Sequence, residues 1–299
     1  MKIFRKISHV VAYAVIVAVF CVAGSCLKPA PASGIVTGLN GKVTITEKGG
    51  SARTAAVADV IRKGDIITTG DRSQAVIEAG PDVIIKVLQD SSIRVIDPAE
   101  KGKNEISLAQ GNVLLKIRAP GKGGEYRVIA GASVTSAQGA VFLVSRDPKI
   151  TTITAGEGLV TVKHLKSGDS KDITPGLSAD VDEKITVRPM SEVELLRLEK
   201  IKVEEFIPYA AQKGKEGLEG LRKDIKLKDE KIDLAIDEFL PMSINEIRKR
   251  YGRVDEVKLI DGTIVRGLIK WRGAEYVIIT PEGRKGIPGA KVKETGLMQ

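Results

Sequence analysis

Residues 64–75 read GDIITTGDRSQA and contain the local signals of a turn, a strand and a second turn. Gly64 permits a positive φ, and the carboxylate of Asp65 can close the same turn onto backbone N–H groups. An apolar, β-branched run follows and stops at Thr69-Gly70, which is typical of a short strand and a break after it. We interpret Gly64 and Asp65 as structural, because no base or nucleophile lies near them in sequence.

The same pattern of short apolar runs extends from about residue 35 to residue 187. The runs alternate with polar residues or are continuously apolar, and Gly, Asp, Pro and Lys separate them. They are Val43–Thr46, Ile66–Thr68, Ala75–Ile77, Val83–Val87, Ile93–Ile96, Val113–Ile117, Val141–Val144 and Val160–Val162. Three Gly-led runs recur at uneven spacing, so the sequence predicts one strand-rich unit and not an exact repeat array.

Several short motifs in this region resemble the FecR domain, the periplasmic module of membrane signalling regulators that also occurs in lipid-anchored proteins. The matching positions are Gly64, Asp65, Thr69, Gly70, Ser73 and Gly139, with Ser91-Ser92, Gly111-Asn112-Val113 and Gly156–Val162 in the family's order. The resemblance covers residues 35–188 and implies a mainly β fold that is solenoid-like or roll-like, in which we expect these positions to be structural. This chain has Gln138-Gly139-Ala140 where the family usually has Arg-Gly-Thr. The resemblance therefore does not imply the partner contact that the family's arginine would make.

Residues 189–253 change to a helical pattern. Ser191 and Glu194 have the spacing of a capping box, and Ser243 and Glu246 repeat it. The sequence predicts three helices. The first begins at Ser191 and ends at Pro208, the second begins at Asp229 and ends at Pro241, and the third begins at Ser243 and ends at Tyr251. Basic and acidic residues balance here, which favours helices that pack on their neighbours over a helix that lies on a membrane.

Residues 254–299 return to short strands around an Asp261-Gly262 hairpin turn. Asp261-Gly262-Thr263 and Gly267 resemble an Sm-like or related five-stranded barrel. The resemblance implies a small C-terminal β-barrel-like domain. We expect Trp271, the only tryptophan, to cover one end of that barrel.

Residues 1–25 have the pattern of an export signal. Three cationic side chains in the first six residues precede an apolar run, and Ala23-Gly24-Ser25 supplies small side chains that fit a signal peptidase. Cys26 comes next, and this order resembles the lipobox of bacterial lipoproteins in the relaxed form known from spirochaetes. The resemblance implies cleavage between Ser25 and Cys26 and a lipid with acyl chains such as palmitate on the Cys26 thiol.

The cysteine content also favours acylation. Cys21 lies in the segment that cleavage discards, so the mature chain has one thiol and forms no internal disulfide. A transmembrane anchor over residues 7–27 is the alternative, although its length is at the low end of the about 20 residues that a bilayer requires. We favour the lipid anchor, with residues 26–34 as the acylated N-terminus and spacer. Either anchor holds an exported body in the cell envelope, periplasmic or surface-facing.

Composition argues against several functional classes. The formal net charge is +9, yet no segment has the dense basic stripe of a nucleic-acid-binding protein. His164 is the only histidine after signal removal, so a multi-histidine metal site is excluded and a Ser-His-Asp triad would have to use it. The carboxylates of residues 169–183 lack the spacing of a cation loop. We expect no cofactor, no metal and no nucleic acid partner.

Two functional hypotheses remain. The first is a lipid-anchored, non-enzymatic binding, signalling or scaffold module whose partner is another envelope protein or the cell wall. The second is an envelope hydrolase that uses acidic residues, since a carboxylate pair cannot be recognised from sequence alone. Only six residues precede the apolar run, so we do not expect direct control of a sigma factor by a preceding cytoplasmic domain.

Overall fold

The computed structural model describes residues 32–96, 104–118, 125–206 and 215–298. Ser25, Cys26 and the predicted signal peptide lie outside these residues, so cleavage and acylation stay predictions. None of the helices in the described ranges combines the length and the hydropathy that a membrane-spanning helix requires.

A mainly β body occupies the first part of the described chain. Its strands are β1 (Ala32–Asn40), β2 (Val43–Thr46), β3 (Ala52–Thr54), β4 (Val60–Arg62), β5 (Ile66–Thr69), β6 (Gln74–Glu78), β7 (Val83–Val87), β8 (Ser92–Ile96), β9 (Asn104–Ile117), β10 (Tyr126–Ala130), β11 (Ser133–Ala137), β12 (Val141–Arg146), β13 (Thr151–Glu157), β14 (Val160–His164), β15 (Ser170–Ile173), β16 (Leu177–Val181) and β17 (Ile185–Pro189).

These strands form two sheets that share the long strand β9. Its first half pairs with β8 and β10, and its second half pairs with β7 and β12. Gly111 lies between the two halves with φ +85°, a conformation that favours glycine. The remaining strands continue both sheets, and the chain passes from one to the other several times. This arrangement is roll-like.

The main hydrophobic core lies between the two sheets. Alternate residues of the strands point into it, and Ile45, Ile67, Phe142 and Val162 are fully buried there. Aliphatic and β-branched side chains dominate because they pack well on a pleated surface. The core therefore needs few aromatic residues, in keeping with the composition.

Three helices follow the body: α1 (Glu192–Lys202), α2 (Lys215–Asp237) and α3 (Ile244–Tyr251). Both predicted capping boxes are confirmed, at Ser191 with Glu194 and at Ser243 with Glu246. Two predicted bounds are wrong. α1 ends at Lys202 and not at Pro208, and α2 begins well before Asp229, which lies inside the helix.

α1 covers the outer face of one sheet. Leu198 and Ile201 are buried against Ile84, Leu114 and Leu143 in a second hydrophobic cluster. Removal of this apolar surface from water stabilises the contact by about 25 cal/mol per Å². The helical segment is thus packed on the β body.

A small antiparallel sheet ends the chain. It consists of β18 (Asp255–Leu259), β19 (Ile264–Trp271), β20 (Glu275–Thr280), β21 (Gly283–Pro288) and β22 (Val292–Leu297), with a 3-10 turn at Gly289–Lys291. Its strand order is β21-β20-β19-β18-β22, and the described residues do not close it into a barrel. Trp271 is 67% exposed, so the prediction that it covers a barrel end is wrong. The mainly β fold with a helical segment and a small C-terminal sheet is confirmed.

Candidate functional site

The polar residues of the 64–75 stretch stabilise turns. Asp65 is buried, and its carboxylate accepts the Arg62 N–H at 2.8 Å and the Lys48 N–H at 3.3 Å. The hydroxyl of Thr69 accepts the Ser91 N–H at 3.1 Å, and that of Ser73 accepts the Lys42 N–H at 2.8 Å. These side chains tie adjacent turns together and have little capacity left for chemistry.

The glycines predicted with them are placed by backbone geometry. Gly64 has φ +92° and packs against the Lys48 side chain, and Gly139 has φ +66° beside the backbone of Gly158. Gly70 donates to the Lys42 carbonyl at 3.0 Å and so lies beside the Ser73 turn. We infer that all six sequence-predicted motif residues are structural.

A buried ion cluster lies under the helices, and the sequence analysis missed it. Lys86 is the fourth residue of β7, and its ammonium donates to Glu204 Oε1 at 2.8 Å, to Asp229 Oδ1 at 2.5 Å and to the Lys200 carbonyl at 3.0 Å. Lys86, Glu204 and Asp229 are almost fully excluded from solvent. The one sequence feature that points to this cluster is the lysine inside the apolar run VIIKV at residues 83–87.

The cluster joins the β body to two separate parts of the helical segment. Burial alone would raise the pKa of Asp229, but the charges of Lys86 and Lys200 outweigh it and the pKa is lowered. Asp229 also accepts the Gln74 amide. Buried charges persist only when they are paired and hydrogen-bonded, so α2 is held in one position by this cluster.

Arg222 of α2 extends the cluster. Its Nη2 lies 3.0 Å from Glu204 Oε2, and its guanidinium packs directly against Gly38 of β1. A side chain at position 38 would collide with that guanidinium. Gly38 is therefore required by the close approach of the helix.

A separate network fixes the start of α1. Arg188 of β17 donates to Asp180 at 2.6 Å and to Glu194 at 2.7 Å. Burial would raise the pKa of Glu194, but the hydrogen bonds from Arg188 and Ser191 lower it to about 2. The N-terminus of α1 is thereby anchored to the last strand of the body.

A cleft of about 510 Å³ opens beside the ion cluster. The turn between β5 and β6 forms one wall, with Asp71, Arg72 and Ser73. All three helices contribute to the other walls, including Arg197 of α1. The sequence motif thus supplies one edge of a polar cleft, although its buried side chains act within turns.

The only histidine of the predicted mature chain is used structurally. Nδ1 of His164 accepts the Ser167 N–H at 3.0 Å, and Nε2 lies 3.1 Å from the Asp182 carbonyl. Of the nearby carboxylates, Asp172 accepts from Thr161, and Asp180 accepts from Thr152. The described residues contain no group of three or more potential ligands placed to hold a metal.

Comparison with known proteins identifies one family. Residues 65–161 match the family model described as FecR protein. This range contains most of the motif positions from the sequence analysis and runs from the Asp65 turn into β14. The chain therefore contains a FecR domain, as the resemblance implied.

The fold also resembles two crystal structures of a candidate anti-sigma factor from Parabacteroides distasonis. The identities are 11% and 10%, each match covers 46% of this chain and 63% or 62% of the other, and both TM-scores are 0.38. The chain thus spans less than two thirds of the length of those structures. A similarity this low does not indicate a shared function. No curated protein matches the sequence significantly.

Proposed function

We propose that the mature protein is a non-enzymatic interaction module, held in the cell envelope by a lipid on Cys26, that binds another envelope protein or the cell wall. The FecR domain at residues 65–161 carries this proposal, because the family is regulatory and not enzymatic. The domain boundaries 1–25, 26–34, 35–188, 189–253 and 254–299 stay predictions.

The arrangement of carboxylates supports binding over hydrolysis. A hydrolase with two catalytic carboxylates requires both to face a cleft and to act as acid and base or nucleophile. In the 510 Å³ cleft, Asp233 is bound to Lys200 at 2.5 Å and Asp237 to Arg250 at 2.6 Å. Among the described residues, these ion pairs leave Asp71 as the one lining carboxylate outside an ion pair, so the cleft offers no pair of free carboxylates for proton transfer.

Edge strands offer surfaces for a protein partner. β3 and β15 lie at the ends of one sheet, and β4 and β17 at the ends of the other, in the described part of the chain. An extended segment of a partner can add to such an edge through main-chain hydrogen bonds. A shared membrane raises the effective concentration of both proteins, so weak contacts suffice.

Fractionation and a turnover assay test this proposal. We expect the full-length protein in the membrane fraction and the Cys26→Ser variant outside it. Purified protein should leave cell-wall polymer intact, and an immobilised form should retain an envelope component. If the protein degraded the polymer and Asp233→Asn abolished that activity at an unchanged melting temperature, the hydrolase alternative would replace this proposal.

A further inference from the structure

The 510 Å³ cleft is built from distant parts of the chain. Asn40 is the last residue of β1, Gln89 follows β7, and Asn112 lies in β9. The 71–73 turn and the helices α1 to α3 provide the remaining walls. Cavities of about 300–1,000 Å³ with a few convergent polar groups are the usual size for small ligands. The cleft has the volume and the polar lining for a small hydrophilic molecule.

Most charges in the cleft cancel in pairs. Lys200 is bound to Asp233, and Arg250 is bound to Asp237. The lining charges outside these pairs are Arg72, Arg197 and Asp71. The residues that line the cleft therefore keep an excess of one positive charge.

Arg197 has a single side-chain hydrogen-bond partner among the described residues. Its Nη1 donates to Asn112 Oδ1 at 3.3 Å, and among the described residues no carboxylate lies within ion-pair distance of its guanidinium. Burial lowers the pKa of Arg197 more strongly than the more distant charges of Glu194 and Asp147 raise it. Arg188 is the contrast, since two carboxylates hold its guanidinium.

Neutral amide side chains line the same cleft as this guanidinium. Asn112 turns its carbonyl oxygen to Arg197, so its NH2 group is left to donate elsewhere. The side-chain amides of Asn40 and Gln89 also line the cleft. A guanidinium and amide N–H groups that line one cleft form a donor set suited to a planar carboxylate or a phosphate.

We propose that this cleft binds a small hydrophilic molecule through an anionic oxygen group, a carboxylate or a phosphate, with Arg197 as its anchor. The bound anion supplies the charge that the protein does not place beside Arg197. The ligand also contacts both the β body and the helices, so its binding stabilises their packing. This site is independent of the proposed envelope tether and of its partner.

Arginine footprinting of the full chain tests the proposal. Phenylglyoxal modifies accessible arginines, and peptide mass spectrometry measures the extent at each position. The probes are citrate for a carboxylate ligand and inorganic phosphate for a phosphate ligand, with chloride at equal ionic strength as the reference. We expect at least one probe to protect Arg197 fivefold or more, and Arg94 and Arg272, which lie outside the cleft, to stay unprotected.

Matched variants complete the test. The effective probe should raise the melting temperature of the wild type and of Arg94→Gln, but not that of Arg197→Gln. Protection by citrate alone assigns a carboxylate ligand, and protection by phosphate alone assigns a phosphate ligand. Equal protection of Arg94 and Arg197, or no protection by either probe, overturns the proposal. If Arg197→Gln does not fold, the footprint on the wild type decides.

Discussion

The ammonium of Lys86 lies 2.5 Å from the carboxylate of Asp229, although the two residues are 143 positions apart in the chain. Both side chains are buried at the junction of the FecR domain and α2. A buried ion pair of this kind specifies position more than it adds stability, because desolvation offsets much of the attraction. The pair therefore determines where the helical segment lies on the domain.

Loss of the buried carboxylate should destabilise the protein strongly. We expect Asp229→Asn to lower the free energy of unfolding by about 3–5 kcal/mol, because the buried Lys86 side chain loses one of its two carboxylate partners. Urea denaturation measures the effect. Asp233→Asn is the control: Asp233 is half-exposed and Lys200 keeps Asp229 as a second carboxylate at 3.4 Å, so we expect a loss of at most about 1 kcal/mol. Equal losses would contradict the structure.

Acidic pH should weaken the anchor of α1. The folded pKa of Glu194 is about 2, below its ordinary value of 4.5. A depressed carboxyl pKa stabilises the fold above the unfolded value, and this contribution is lost as the pH falls from about 4.5 towards 2. We expect the melting temperature of the wild type to fall in this window more steeply than that of Glu194→Gln. Parallel curves would show that Glu194 does not contribute.

Leu198 should carry much of the packing of α1 on the sheet. It is fully buried against the outer face, so we expect Leu198→Ala to cost about 2–5 kcal/mol of unfolding free energy. Leu195 lies on the same helix but is 45% exposed, and Leu195→Ala should change stability by at most about 0.5 kcal/mol. Chemical denaturation of both variants checks the difference. Similar values would mean that α1 is not packed as described.

Gly38 should not tolerate a side chain. A Cβ there meets the guanidinium of Arg222, so Gly38→Ala should displace α2 around Arg222. We expect faster amide hydrogen exchange in residues 222–229 than in the wild type. The matched control is Gly296→Ala, because Gly296 has open space around it and no positive φ. Gly49 also has open space, but its positive φ would add backbone strain. Gly296→Ala should leave exchange in α2 unchanged.

Local signals in the sequence predicted local structure well. The capping boxes at Ser191 and Ser243 and the turn at Asp65 each depend on residues within a few positions. The prediction of Asp229 as an N-cap is wrong because its partner, Lys86, is distant in sequence. No local pattern around either residue indicates the ion pair. Arg197 gave no signal for the same reason, since the cleft forms only after α1 packs on the sheet.

The C-terminal sheet shows a different limit. The Asp261-Gly262 turn and the strand positions were predictable, and the Asp261 carboxylate accepts the Thr263 N–H at 2.8 Å. Closure into a barrel depends on the curvature of the whole sheet and on which edges meet. The turn residues do not determine either property.

Crosslinking in intact envelopes tests the central claim most directly. A crosslinker added to cells that carry the full-length protein, followed by purification under denaturing conditions, should yield a discrete adduct with one envelope component. The yield of this adduct should fall at least tenfold for Cys26→Ser at equal expression, because the shared membrane is lost. Absence of a specific adduct, or an equal yield from the Cys26→Ser variant, would contradict a lipid-tethered interaction module.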